Sequence, residues 1–174
     1  MTVTVSRPAP AEYAPYYGRY IDRVPEGDVL ELLERQRAET ARFLAGIPEE
    51  RAGFRYAPDK WSIKQVVGHL CDAERVFSYR ALRMARGDAT ALSGFDQDTL
   101  VAGGNFDRRT LRDLAAELDS IRHSTIALFR GLDDEAFARR GTANDVQFTV
   151  RAFPYIMEGH VRHHVGILKE RYQV

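Results

Sequence analysis

At 174 residues, 44% hydrophobic and 29% charged, the chain is long enough for one well-packed domain and short for two. Its 25 Lys and Arg balance 25 Asp and Glu, so the net charge of +0 leaves no basic footprint for nucleic acid and no patch for an anionic membrane. A single cysteine, Cys71, excludes an intramolecular disulfide framework, and no run nears the roughly 18 apolar residues of a membrane span; with no apolar leader at the N-terminus, the expectation is a cytoplasmic protein.

Residues 1–24 set Pro8, Pro10 and Pro15 among Tyr13, Tyr16, Tyr17 and Tyr20. Proline at this density opposes helix, and four tyrosines are too many for a solvated tail. The segment reads as an extended arm laid over the domain, ending in a helical turn near 16–23. Residues 25–174 read as one helical domain. Asp28 is placed to cap a first helix, along which Val29, Leu30, Leu33, Thr40, Phe43 and Leu44 recur at helical intervals until Gly46 and Pro48 end it. After a loop over 48–60, Ser62 and Gln65 form a capping box, with Trp61 placed to staple on Val66.

The second helix runs to about residue 86 on an apolar arc of Ile63, Val66, Leu70, Ala73, Phe77, Ala81 and Met84. His69 lies at the flank of that arc. Cys71 reads as a small buried hydrophobe; Arg80 projects near the His69 direction about three turns on, placed to meet an anionic substrate, though snorkelling outward is the expectation. A long connection over 88–106 follows, in which Asp96 and Asp98 read as solvated acids, with a place at the mouth of the cavity as the alternative. Phe106-Asp107 is expected to open and cap the third helix, whose seam is Leu111, Leu114, Leu118, Ile121, Thr125 and Leu128. Residues 141–148 form a loop or a brief hairpin. The fourth helix is expected from Thr149 to Tyr172, with a lost hydrogen bond or slight kink at Pro154. The fold class is therefore all-α: a four-helix bundle with an extended N-terminal arm and long crossover loops.

Three of the five histidines, His160, His163 and His164, fall within five residues of the fourth helix. Positions 160 and 164 are about 40° apart in arc and project from one side, which they share with Phe153, Ile156, Met157, Ile167 and Leu168. Buried imidazoles need partners for their ring nitrogens. A divalent ion shared by the pair supplies one; a carbonyl or side-chain hydrogen bond to each is the plainer alternative. Bundles build metal sites from facing helices, which makes His69 the natural third ligand, whereas His123 lies opposite its seam and should meet solvent. Gln65 and Asp72, one turn either side of His69, together with His163 at the edge of the face, are the groups placed to orient the ligands. Glu158 is expected to face water. Where zincins carry Glu after the first histidine this helix has Val161, so that general base is missing.

The run Lys60-Trp61-Ser62-Ile63-Lys64-Gln65-Val66-Val67-Gly68-His69-Leu70, followed by Glu158-Gly159-His160 through His164, resembles the DinB/YfiT-like superfamily. The opening from Arg7-Pro8-Ala9-Pro10 to Tyr20 and the stretch Phe95-Asp96-Gln97-Asp98 are similar to one subgroup of it. The resemblance implies a four-helix bundle holding one divalent ion, zinc or nickel, on His69, His160 and His164. It further implies a small-molecule substrate handled by a low-molecular-weight-thiol S-transferase or a hydrolase, in a homodimer. The alternative is a metal-stabilised binding or stress-response protein without turnover. An open coordination position in a pocket marks the first, and a fourth protein ligand marks the second.

Overall fold

The computed structural model describes residues 4–174. Four long helices form the bundle: α2 (Val29–Ala45), α3 (Ile63–Ala85), α5 (Leu111–Arg130) and α7 (Ala152–Arg171). Three short helices decorate it, α1 (Gly18–Ile21), α4 (Gln97–Gly103) and α6 (Asp134–Ala138), with one hairpin of β1 (Arg140–Ala143) and β2 (Val146–Thr149). Both α5 and α7 pack against α2 and α3. Chain-consecutive α2 and α3 therefore sit diagonally, as do α5 and α7. No described helix is long and apolar enough to cross a membrane.

Local chemistry accounts for most of the boundaries. Asp28 caps α2, accepting from the Leu30 amide at 2.8 Å. Ser62 and Gln65 close the expected box on α3, with the Ser62 amide donating to Gln65 Oε1 at 3.0 Å and the Gln65 amide to Ser62 Oγ at 3.1 Å. The third long helix starts later than the sequence suggests. Phe106–Arg108 is a separate 3-10 turn, and Thr110 caps α5 through the Asp113 amide. Asp107 instead accepts from Ser62 Oγ, tying this turn to the head of α3.

Two further expectations are corrected. Helix α7 begins at Ala152, which puts Pro154 inside its first turn, where an amide has no partner to lose, so no hydrogen bond is forfeited there. The α3–α5 connection is not all loop: Asp96 caps α4 by accepting from the Thr99 amide at 2.7 Å. The hairpin that the sequence left open does form, pairing Arg140 with Thr149 through Ala143 with Val146. Its turn residues Asn144 and Asp145 both take positive φ, 51° and 59°, the twist that two-residue hairpins favour. Leu92 bridges to this hairpin, its amide 2.9 Å from Thr142 O, which pins the α3–α4 connection beside it.

The apolar core comes in two clusters. One gathers Leu33, Phe77, Ile126, Phe129, Phe153 and Ile156; the other gathers Leu44, Ile63, Leu70, Leu114, Val161 and Leu168. Along every long helix the changeover between them passes through buried polar residues: Gln36 on α2, His69 and Glu74 on α3, Arg122 on α5, and Glu158 and His160 on α7. A polar layer thus cuts the bundle at mid-height.

Candidate metal centre

Two glycine–histidine pairs set the histidines in that layer. A Cβ on Gly159 would stand 2.0 Å from the Tyr20 carbonyl oxygen, so only glycine lets α1 lie directly on α7. A Cβ on Gly68 would stand 2.4 Å from carbons of the Phe106 ring, which closes over α3 at that point. Each glycine precedes a histidine whose side chain turns inward, His160 and His69 respectively. Both are buried, and His164 is half-buried beside them.

The Nε2 atoms of His69 and His160 lie 3.1 Å apart, and one nitrogen from each of His69, His160 and His164 falls within 4.8 Å of the others. Two imidazoles on one tetrahedral zinc ion, each at about 2.0–2.1 Å, bring their nitrogens to roughly 3.3 Å. The spacing fits a shared ion. The electrostatics agree in direction: burial lowers the pKa of His69 to about 4, and burial together with the neighbouring imidazoles holds His160 and His164 well below the usual histidine value. Neutral imidazole is the form that ligates. The donor set therefore suits a borderline divalent ion such as zinc or nickel.

Around the cluster, the Trp61 ring leans on His69 with centroids 4.8 Å apart. The Tyr20 ring stands edge-on to both His160, at 5.2 Å, and His163, at 5.4 Å. The Tyr20 hydroxyl accepts from Arg19 Nη2 at 2.9 Å, and burial raises its pKa, keeping it a phenol. A cleft of about 700 Å³, counting its mouth, opens on His69 and His160. Its walls come from the N-terminal tyrosines, from Ala73, Phe77 and Arg80 of α3, from residues 94–97, and from Asn144 of the hairpin.

The other expected site residues take varied places. Gln65 Oε1 serves the helix cap and Arg55 Nη1, at 2.7 Å from the latter, and hydrogen-bonds neither imidazole. Asp72 lies 4.0 Å from Arg75, its pKa raised by burial, and likewise hydrogen-bonds no imidazole. His163 packs on His164 and Tyr20 at the rim. His123 is exposed. Cys71 is buried, its thiol pushed up to about 12 by desolvation, and is no nucleophile.

Glu158 and Arg80 overturn their readings. Glu158 is fully buried and ion-paired to Arg162, on a half of α7 that both α1 and α2 pack against. Arg80 is only 3% exposed and points into the cleft. Behind the histidines, Arg122 donates to both oxygens of Glu74 at 2.6 and 2.7 Å and to Gln36 Oε1 at 2.7 Å. Gln36 Nε2 in turn donates to Glu158 O at 2.9 Å, two residues from His160. A charge in register with an apolar face was the available signal: Arg122 is one turn past Leu118, Glu74 one turn past Leu70, and Gln36 one turn past Leu32.

This fold, with inward-facing histidines from its second and last long helices, defines a class. The chain belongs to the DinB superfamily, whose family description matches residues 32–168. Among solved structures it is similar to YfiT from Bacillus subtilis, described as a probable metal-dependent hydrolase with an unusual four-helix bundle topology. The TM-score is 0.76 at 18% identity, covering 97% of this chain and 92% of that one. It is also similar to a mycothiol-dependent maleylpyruvate isomerase, with a TM-score of 0.66 at 13% identity. That match covers 83% of this chain and 61% of the isomerase, so this chain spans less than two thirds of its length. At such identities the likeness is one of fold. No curated protein matches the chain.

Proposed function

We propose that the chain holds one divalent ion, zinc or nickel, on His69, His160 and His164, and transfers a low-molecular-weight thiol to a small electrophile in the adjoining cleft. The observation that carries this reading is the cluster's open side. Three neutral nitrogens converge, and the space next to them is a cleft rather than a fourth protein donor among the described residues. When bound, such an ion supplies Lewis acidity, lowering the pKa of a thiol or water that it coordinates.

The surrounding side chains favour a thiol over water. Hydrolysis at such a site ordinarily recruits a carboxylate or histidine as general base. Glu158 is taken up by Arg162, and Asp96, the carboxylate on the cleft wall, is turned to cap α4. Transfer of a thiol needs less. Its proton leaves to solvent at the cleft mouth, the sulfur lone pair forms the new S–C bond, and the leaving group departs with the pair of the bond it breaks. The aromatic walls from Tyr17, Tyr20 and Phe77 hold an apolar body against the histidines and exclude water around it. The described part of the N-terminal arm is in this reading part of the site, since Tyr16, Tyr17 and Tyr20 all precede the family-matched residues. Support also comes from the thiol named in the isomerase's description, whereas the description of YfiT supports hydrolysis.

The test is metal content followed by turnover. Protein purified without chelator should carry about one ion per chain, and His160→Ala and His164→Ala should each abolish it. A screen of monochlorobimane with several small thiols, beside p-nitrophenyl acetate without thiol, should show chelator-sensitive thiol transfer. Full metal occupancy in either variant would sink the ligand assignment. Chelator-sensitive ester cleavage alone would move the reading to hydrolase, and no turnover with full occupancy would leave a metal-stabilised binding protein.

A further inference from the structure

Two arginines are buried in this bundle to the same degree, each 3% exposed, and they differ in one respect. Arg122 has a carboxylate, Glu74, on both arms of its fork. Arg80 has none among the described residues. Its Nη2 donates to the Ser93 carbonyl at 2.8 Å, its guanidinium lies 5.5 Å from the Phe95 ring centre, and the Tyr17 hydroxyl stands beside it. Those neighbours offer a carbonyl, a phenol oxygen and a ring face; they bring no negative charge. A desolvated cation without a counter-ion is costly, and burial here depresses the pKa of Arg80 accordingly.

His69, Ala73, Phe77 and Arg80 follow at spacings of four, four and three, so they line one face of α3 and one wall of the cleft. Arg80 closes the end of that wall roughly 16 Å of helix rise from His69, and its side chain leans back toward the histidines, as helical side chains do. The floor between is apolar. We infer that Arg80 anchors a carboxylate carried by the small molecule in the cleft, whose apolar body lies along Ala73 and Phe77 and whose reacting atom reaches the histidines. A guanidinium fork matches a carboxylate in two parallel hydrogen bonds, which fixes orientation as well as charge. Arg80 is in this account a specificity-determining residue, remote from the reacting atoms. The assignment rests on the metal-site reading only for what lies at the other end of the cleft.

Two acid–amide probe pairs test it by isothermal titration and amide chemical-shift mapping: 3-phenylpropionate with 3-phenylpropanamide, and 3-mercaptopropionate with 3-mercaptopropanamide. Each pair is titrated into metal-free and zinc-loaded full-length protein. In at least one pair the acid should bind wild type about tenfold or more tightly than the amide, with shifts at Ser93 and Phe95. Preference in the first pair places the carboxylate on the electrophile; preference in the second places it on the thiol. Arg80→Met should bring the acid to the level of the amide, while Arg80→Lys should keep part of the preference. Equal binding of acid and amide in both pairs overturns the inference, as does an acid preference that survives in folded Arg80→Met. Should Arg80→Met fail to fold, the wild-type acid–amide ratio and Arg80→Lys decide the matter. Because the metal-free arm reads Arg80 alone, an acid preference in a protein that never takes up zinc would sink the metal reading and leave this one standing.

Discussion

The two sides of the polar layer show how one bundle handles buried polarity in opposite ways. On the α5 side, Arg122, Glu74 and Gln36 form a closed set in which each fork, carboxylate and amide has a partner, ending on the Glu158 carbonyl. On the cleft side, three imidazoles face one another and Arg80 lines the cleft with no carboxylate partner among the described residues. The first group pairs its cation with a carboxylate, and the second leaves Arg80 without one among the described residues. On the cleft side the polar groups meet one another or a lone carbonyl and border a cleft, which marks where a ligand fits. The closed half also serves the open one, because the hydrogen bond from Gln36 locks α7 two residues before His160.

The largest effect should come from breaking the closed half. Arg122→Ala leaves the Glu74 carboxylate buried and alone and should lower unfolding free energy by about 3–5 kcal/mol in urea titrations. The double variant Glu74→Leu with Arg122→Met should recover most of that loss, since a well-packed apolar pair can replace a buried ion pair. A double variant as unstable as the single one would mean that the network does more than satisfy itself.

The open half should reveal itself through pH. In metal-free protein His69 titrates near 4 when folded and near 6.5 when unfolded, so the unfolded chain binds the proton first as pH falls. Stability should be fully present above about pH 6.5 and be lost progressively toward pH 4, by up to about 3 kcal/mol from His69 alone. His160 and His164 shift in the same direction and should steepen the fall. Denaturant melts across that window check it; a flat profile in the metal-free chain would contradict the burial of neutral imidazoles.

Gly159→Ala sharpens the comparison by loosening only the covered side of α7. The new Cβ meets backbone at Tyr20, which cannot rotate away, and should cost about 2–3 kcal/mol while exposing the arm to limited proteolysis. Gly68→Ala should do less, because the obstacle there is the Phe106 ring, a side chain that can turn. Smallest of all, His123→Ala removes an exposed imidazole from neither half. It should change stability by no more than about 0.5 kcal/mol and leave metal content unaltered, and lost metal there would mean the wrong histidines are paired.

What the sequence made legible were features carried by local chemistry or strict period. The Asp28 cap, the Ser62–Gln65 box and the shared side of His160 and His164 follow from spacing, whereas His69 reads at a flank and joins them through the bundle pattern and the resemblance. The misreadings arose where tertiary cover overrides a helical face. Every residue from Ala152 to Val161 is buried, so α7 has no solvent side there and Glu158 could not face water. On α5 the expected seam kept to apolar residues and drifted to Ile121 and Leu128, which are only half-buried. The true face runs Leu118, Arg122, Thr125, Ile126 and Phe129, closer to a 3.6-residue period, with a charge where the pattern asked for an apolar residue. Arg80 was misjudged because snorkelling assumes open water at the helix edge, whereas residues 93–97 and the hairpin turn roof that edge. The N-terminal tyrosines read as an arm laid over the domain, but which part of it they cover rests on the close approach at Gly159.

X-ray absorption at the metal edge of protein loaded with one zinc ion, with and without a small thiol, tests the open three-histidine site most directly. The account predicts about three imidazole nitrogens at roughly 2.0–2.1 Å and one light ligand that gives way to sulfur at about 2.3 Å when thiol is added. A shell already closed by a fourth protein donor and indifferent to thiol, or one in which His69→Ala leaves three imidazoles in place, would contradict it.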